Sequence, residues 1–137
     1  MNSAKKGNNA VCNALSYFSK KDYSIFIPLN TNDSGAIDLV VSKDGINLQR
    51  VQCKFTERLH PAMKTKYPDR QVYEVFLHRA NTIHRHRNEY TSASFDLLFV
   101  STPQANYLFD WHYLCSSRGK PPTTLQIGKK LSNFQVL

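Results

Sequence analysis

The stretch Ile37-Asp38-Leu39-Val40-Val41, the polar turn Ser42-Lys43-Asp44-Gly45-Ile46-Asn47, and Arg50-Val51-Gln52-Cys53-Lys54-Phe55 together decide the fold. The first segment leaves a polar loop through an acid and enters an apolar, valine-rich run suited to a strand. In the last, Val51, Cys53 and Phe55 alternate with Gln52 and Lys54, the period of a strand with two unlike faces. Asp44-Gly45 between them is a strong hairpin signal, because tight turns need residues that tolerate positive φ. Two strands so paired bring Asp38, Gln52 and Lys54 to one end of a sheet. A carboxylate, a side-chain carbonyl and an ammonium gathered there suit metal-assisted attack on a phosphate.

Outward from the hairpin, the upstream chain predicts one helix and one strand. Val11, Ala14, Leu15 and Phe18 recur at helical spacing behind Asn8 or Asn9 as a capping residue, and Lys20 and Lys21 suit the negative end of the helix dipole. Residues 23–29 read as a first strand, whose Pro28 puts its end at a sheet edge or a bulge. Downstream, the charged residues 56–70 read as a long connection, with or without a partial extra strand. Residues 72–77 form a further strand running into His78-Arg79, and residues 80–90 form a short helix or an exposed loop. A buried strand at 94–101, a short strand at 106–109 and a helical turn at 111–114 follow. Residues 116–124 are a loop, and 125–137 an edge strand or a partly ordered tail. A helix followed by strands with local helix predicts an α/β or α+β layer fold around one mixed sheet. No linker divides the chain, so residues 1–137 read as a single domain, with 115–137 a loop and C-terminal strand or tail.

Composition narrows the partners. With 41% hydrophobic and 12% aromatic residues the chain can bury a core, which excludes a mainly disordered protein. Eighteen Lys and Arg against ten Asp and Glu leave a charge of +8, favouring a polyanion, nucleic acid first and an acidic membrane surface second. No stretch approaches the roughly 20 apolar residues of a membrane span. Three well-separated cysteines argue against a disulfide scaffold and for a reducing, cytoplasmic setting, with Cys12 and Cys53 as small core residues. No pair has zinc-ligand spacing, and neither a P-loop nor a dinucleotide fingerprint is present. Nucleophilic Ser/His/Asp or Cys/His arrangements also lack context.

The N-terminal helix, the strand ending Phe26-Ile27-Pro28-Leu29, the polar loop, Ile37-Asp38-Leu39-Val40-Val41 and Arg50-Val51-Gln52-Cys53-Lys54-Phe55 resemble the PD-(D/E)XK nuclease superfamily. The resemblance is strongest over residues 5–56 and extends weakly to about Leu114. Within it, the archaeal Holliday-junction resolvases and the small homing endonucleases of cyanobacterial introns look most similar. The resemblance implies a restriction-endonuclease-like α/β core, a mixed sheet flanked by helices. Residue by residue, Asp38 matches the first acid, Gln52 the second ligand fourteen positions on, and Lys54 the lysine. It further implies a divalent cation, Mg²⁺ or Mn²⁺, held by Asp38 and the Gln52 oxygen. Lys54 would then hold or deprotonate the attacking water and balance transition-state charge. Double-stranded or branched DNA is the implied substrate, and cutting both strands calls for a homodimer or homotetramer.

One departure bears on activity. Many members carry another acid on the first helix; here Val11 falls at that place, and no Asp or Glu precedes Asp22. Asn8 and Asn9, one turn earlier, offer only neutral oxygens.

Each sharper reading has a plain counterpart. Asp38 alone could make a turn hydrogen bond, and Gln-x-Lys occurs on any solvent-facing strand. Their conjunction after one helix and one strand, at hairpin spacing in a basic chain, favours the nuclease site. The basic run with Arg79, Arg85 and Arg87, interleaved with His78, His84 and His86 and flanked by Tyr90, reads as a phosphate- or base-contacting segment or as a solvated face. Lys64, Lys66 and Arg70 beyond the active strand read as a DNA-contacting loop or a plain one. Tyr107, Phe109, Trp111 and Tyr113 could stack on bases, but a cluster between apolar strands is more often core. Asp96 has no x-Lys partner and reads as structural. A non-catalytic DNA-binding module on the same fold, and an RNA-binding protein, remain as alternatives.

Overall fold

The computed structural model describes residues 3–29, 37–61, 71–80, 87–92 and 94–136. In chain order its elements are α1 (Ser3–Lys20), β1 (Ser24–Phe26), β2 (Leu39–Ser42), β3 (Gln49–Phe55), β4 (Tyr73–Phe76), β5 (His78–Ala80), β6 (Arg87–Glu89), β7 (Leu97–Ser101), β8 (Asn106–Asp110), α2 (Trp111–Leu114), β9 (Thr124–Ile127), a 3₁₀ helix (Lys129–Phe134) and β10 (Gln135–Val136).

The expected hairpin is the hub. β2 and β3 pair antiparallel with Leu39 opposite Val51. Asp44 builds the turn: its Oδ1 accepts from the N–H groups of Ile46 and Asn47 and from the Ser42 hydroxyl, while Asn47 Nδ2 donates to Oδ2. These bonds hold the Asp44 carboxyl well below the usual range. Gly45 follows at φ 78°, a position a side chain would strain. From the hairpin the mixed sheet grows both ways, in the order β1-β2-β3-β7-β8-β10. β7 lies parallel to β3, with Gln52 beside Leu98 and Lys54 beside Val100, and all five of its residues are buried. A strand covered on both faces explains the unbroken Leu-Leu-Phe-Val run.

The two faces differ. Against one lies α1, whose Ala10, Ala14 and Phe18 pack on Leu39, Val41, Val51, Cys53, Leu97 and Phe99. Against the other, Leu98, Val100 and Phe109 meet Tyr73, Val75, Leu77, Leu125 and Ile127, a layer supplied largely by the separate antiparallel pair β4–β9. The fold is thus the expected mixed α/β sheet, with one face roofed by a long helix and the other mainly by a small sheet. Among the described residues no helix is long and apolar enough to cross a membrane.

Several local expectations change. α1 begins at Ser3, not at Asn8 or Asn9. Its first turns are held over the end of β3, where Lys6 meets Glu57 at 2.5 Å, so the asparagines lie inside the helix. Its buried stripe is Ala10, Ala14 and Phe18, with Val11 and Leu15 only half-buried beside it. Cys12 falls off that stripe and is exposed, whereas Cys53 is buried as expected. β1 covers only Ser24–Phe26, at the sheet edge that Pro28 suggested. The described part of 80–90 is neither helix nor loop: β6 pairs with β5, His78 opposite Glu89. The C-terminal segment divides its work, β9 pairing with β4 and β10 closing the far edge of the main sheet on β8. Phe109 is core, with Tyr107, Trp111 and Tyr113 packed against it half-buried.

Candidate active site

Asp38 immediately precedes β2, and its N–H donates to the Val51 carbonyl at 2.8 Å, extending the β2–β3 ladder. That bond sets Asp38 across from Gln52. The apolar alternates Val51 and Cys53 go to the α1 side, so Gln52 and Lys54 lie on the other face of β3.

The local hydrogen bonds lock this group. Asp38 Oδ2 accepts from the Cys53 N–H at 2.8 Å and from Gln52 Nε2 at 3.0 Å. Gln52 Nε2 also donates to the Cys53 carbonyl at 3.2 Å. Both neighbours of Nε2 are acceptors, so the amide can only present its NH₂ to them. Its other end, Oε1, is buried without a partner, the only such side-chain atom among the described residues. A buried acceptor left unsatisfied costs about 1–3 kcal/mol, which marks it as awaiting something.

The electrostatics are as tightly drawn. Burial pushes the Asp38 carboxyl above its usual value, while the Cys53 N–H and the Lys54 charge pull it back. Burial likewise pushes the Lys54 ammonium below the ordinary lysine value, with Asp38 pulling the other way. Nearby, the Cys53 thiol is driven up by burial and by Asp38, which leaves it an inert core group. Lys54 Nζ stands 5.5 Å from the centre of the Tyr90 ring. A cleft of about 300 Å³ opens beside Lys54, lined also by Lys6, Thr56, Glu57, Arg58 and Glu74. In it Arg58 Nε pairs with Glu74 at 3.0 Å, and the Thr56 hydroxyl donates to the Glu74 carbonyl.

This donor set fits a hard dication. A carboxylate disfavoured by burial and an orphaned amide oxygen are both oxygen ligands of the kind Mg²⁺ and Mn²⁺ take. Among the described residues no three His, Cys, Asp or Glu side chains converge, so one carboxylate and one amide would leave the remaining positions to water and substrate oxygens. No acid comes from α1: Val11 packs into the helix-side core.

Of the basic residues singled out in the sequence, Lys64, Lys66, Arg70 and Arg85 lie outside the described residues, while Arg79 and Arg87 are on the paired strands β5 and β6. Asp96 is structural: its carboxylate accepts from Arg50 N, Nε and Nη2 at 2.8, 2.9 and 3.0 Å. Sequence reading missed the cleft residues Lys6, Arg58 and Glu74, which no local pattern connects to Lys54. Tyr90 carried one signal, its place at the end of the basic run.

The family model of the PD-(D/E)XK endonucleases matches residues 1–115. The fold is similar to that of the bacterial homing endonuclease I-Ssp6803I, with a TM-score of 0.73 at 18% identity, over 98% of this chain and 89% of that one. No curated protein sequence matches the chain.

Proposed function

The chain belongs to the PD-(D/E)XK endonuclease family, and from that premise we propose that it hydrolyses DNA phosphodiester bonds with Asp38, Gln52 and Lys54 at the reacting phosphate and Mg²⁺ or Mn²⁺ on the first two. The observation that carries this reading is the buried, partnerless Gln52 Oε1 beside a carboxylate that burial disfavours. When bound, the cation supplies positive charge at the phosphate and a more acidic water. The chain's residues do the rest. Asp38 and Gln52 are held rigid by the Cys53 N–H and by each other, so little reorganisation is needed during reaction. Lys54, its pKa depressed by burial, orients the attacking water, can take up its proton, and offsets charge on the phosphorane-like transition state. Water adds in line to phosphorus and the bond to the 3′ oxygen breaks, leaving a 5′-phosphate and a 3′-hydroxyl.

The structural likeness favours the homing type over a junction resolvase. The β5–β6 pair with Arg79 and Arg87, and the basic sequence stretches with Lys64, Lys66, Arg70 and Arg85, are the proposed DNA contacts, so affinity falls steeply with salt as counterions are released. Each chain supplies one site, and cutting both strands takes a homodimer or homotetramer.

A second reading, a DNA-binding module that has lost cleavage, is favoured by one observation: among the described residues no group of three His, Cys, Asp or Glu side chains gathers to hold a metal. Nicking of supercoiled plasmid in Mg²⁺ or Mn²⁺ separates the two. The wild type is expected to nick, and Lys54→Ala to lose roughly 10²–10⁴-fold in rate. Nicking unchanged in Lys54→Ala would remove the assignment of the site, and a wild type that binds DNA but never nicks would establish the second reading.

A further inference from the structure

We propose that Tyr90 is a positioning residue for Lys54, its ring face holding the ammonium in register with Asp38 and Gln52; this rests on the assignment of Lys54 to the reaction. Lysine has a flexible four-carbon stem, and an ammonium that must meet one water and one phosphate needs something to hold it. Among the described residues no carboxylate pairs with Lys54; ion pairs instead occupy Lys6, Arg50 and Arg58. What faces the Lys54 Nζ is the Tyr90 ring, 5.5 Å away at its centre, within the range of a cation–π contact.

The ring is itself fixed. Tyr90 is only 5% exposed. It meets Phe95 edge-on at 5.1 Å and 74°, and Phe95 meets Trp111 edge-on at 5.4 Å and 80°. Phe95 is buried and adjoins Asp96, whose carboxylate grips Arg50 on β3. Contacts therefore run from the strand that carries Lys54, through the Arg50–Asp96 ion pair, the adjoining Phe95 and one aromatic contact, back to the face of a ring over Lys54, with Trp111 bracing Phe95 from the side. That closed circuit is rigid where lysine alone is not. Tyr90 comes directly after β6, so the ring stands at the base of the basic hairpin.

A merely structural Tyr90 and a positioning one differ in which kinetic constant they move. Tyr90→Phe keeps the ring face and should cleave within about twofold of wild type. Tyr90→Leu and the longer, more adaptable Tyr90→Met remove the quadrupole, and kcat should fall about tenfold or more while KM for DNA stays within about twofold. Leu125→Ala, in the same apolar cluster, supplies a matched loss of Tm without a partner role toward Lys54; its kcat should hold. If Tyr90→Leu fails to fold, Tyr90→Met decides. Wild-type kcat in Tyr90→Met, or an equal loss of kcat in Leu125→Ala, would overturn the proposal while an inactive Lys54→Ala leaves the site assignment standing. A Lys54→Ala that cleaves normally would overturn both.

Discussion

Replacing Gln52 by Glu sets a second carboxylate beside Asp38, and the structure says what that does before any cation is added. Gln52 is buried, and its Nε2 donates to Asp38 Oδ2 at 3.0 Å and to the Cys53 carbonyl at 3.2 Å. The substitution deletes both donors and sets a second carboxylate about 3 Å from the first. Two unit charges at that separation repel by roughly 5 kcal/mol at an effective dielectric near 20. The folded chain escapes most of this by keeping one proton between the pair, at a net cost of about 2–4 kcal/mol at pH 8, or roughly a 10 °C fall in Tm for a domain of this size. The sign with pH is fixed by a raised folded pKa: stability is present below the unfolded value and lost as pH rises through the folded one. The deficit in chelator should therefore shrink towards pH 5. Added Mg²⁺ or Mn²⁺ replaces the shared proton, and at about a hundred times Kd a bound ion returns about 2.7 kcal/mol, close to what was lost. Thermal melts of wild type and Gln52→Glu, in chelator and across a metal titration, measure all of this. An unchanged Tm in chelator at pH 8, or a metal-induced shift no larger than wild type's, would refute the placement of the Gln52 donors on Asp38.

The same site predicts a gain of stability from a loss of function. Burial raises the Asp38 carboxyl, so the ionised form disfavours folding above the ordinary carboxylate value. Asp38→Asn, whose Oδ1 can still accept from Cys53 and Gln52, should have the higher Tm at pH 8 in chelator and should cleave no DNA; the Tm gap should close as pH falls below the ordinary carboxylate range, and a lower Tm at pH 8 would contradict it. The opposite sign applies at the far end of β3. Arg50 holds the Asp96 carboxyl below its usual value, so that pair contributes above the ordinary carboxylate pKa and fades as pH falls through the lowered one. Asp96→Asn should cost about 1 kcal/mol at pH 7, a figure discounted because the two side chains are 32% and 38% exposed. A pH-independent loss of Tm in Asp96→Asn would show that the carboxylate's charge is not what matters.

What the sequence disclosed and what it hid follow from where each residue's partners lie. Asp38, Gln52 and Lys54 were legible because one hairpin supplies all three, and its apolar alternates, Val51 and Cys53, reveal the strand's register by going to the helix side. β7 was legible because both its faces are covered and every residue is apolar or small. The pairing of β4 with β9, about fifty residues apart, carries no local pattern, and neither do three-residue strands such as β5 and β6. Helix start was misread because Asn8 and Asn9 are good caps in isolation, while the Lys6–Glu57 contact that draws the helix further forward is tertiary. The missed part of the site obeys the same rule. Tyr90, Arg58 and Glu74 reach Lys54 or its cleft only once the second layer closes over the sheet. That layer is also what buries Lys54 and contributes to the shifted protonation of the site, since the exposed edge of a two-stranded ribbon would leave both charges solvated and unshifted. The hairpin thus determines which groups meet, and the small sheet and Tyr90 determine the medium in which they meet, the one in which the proposed dication would have to be held by one carboxylate and one amide.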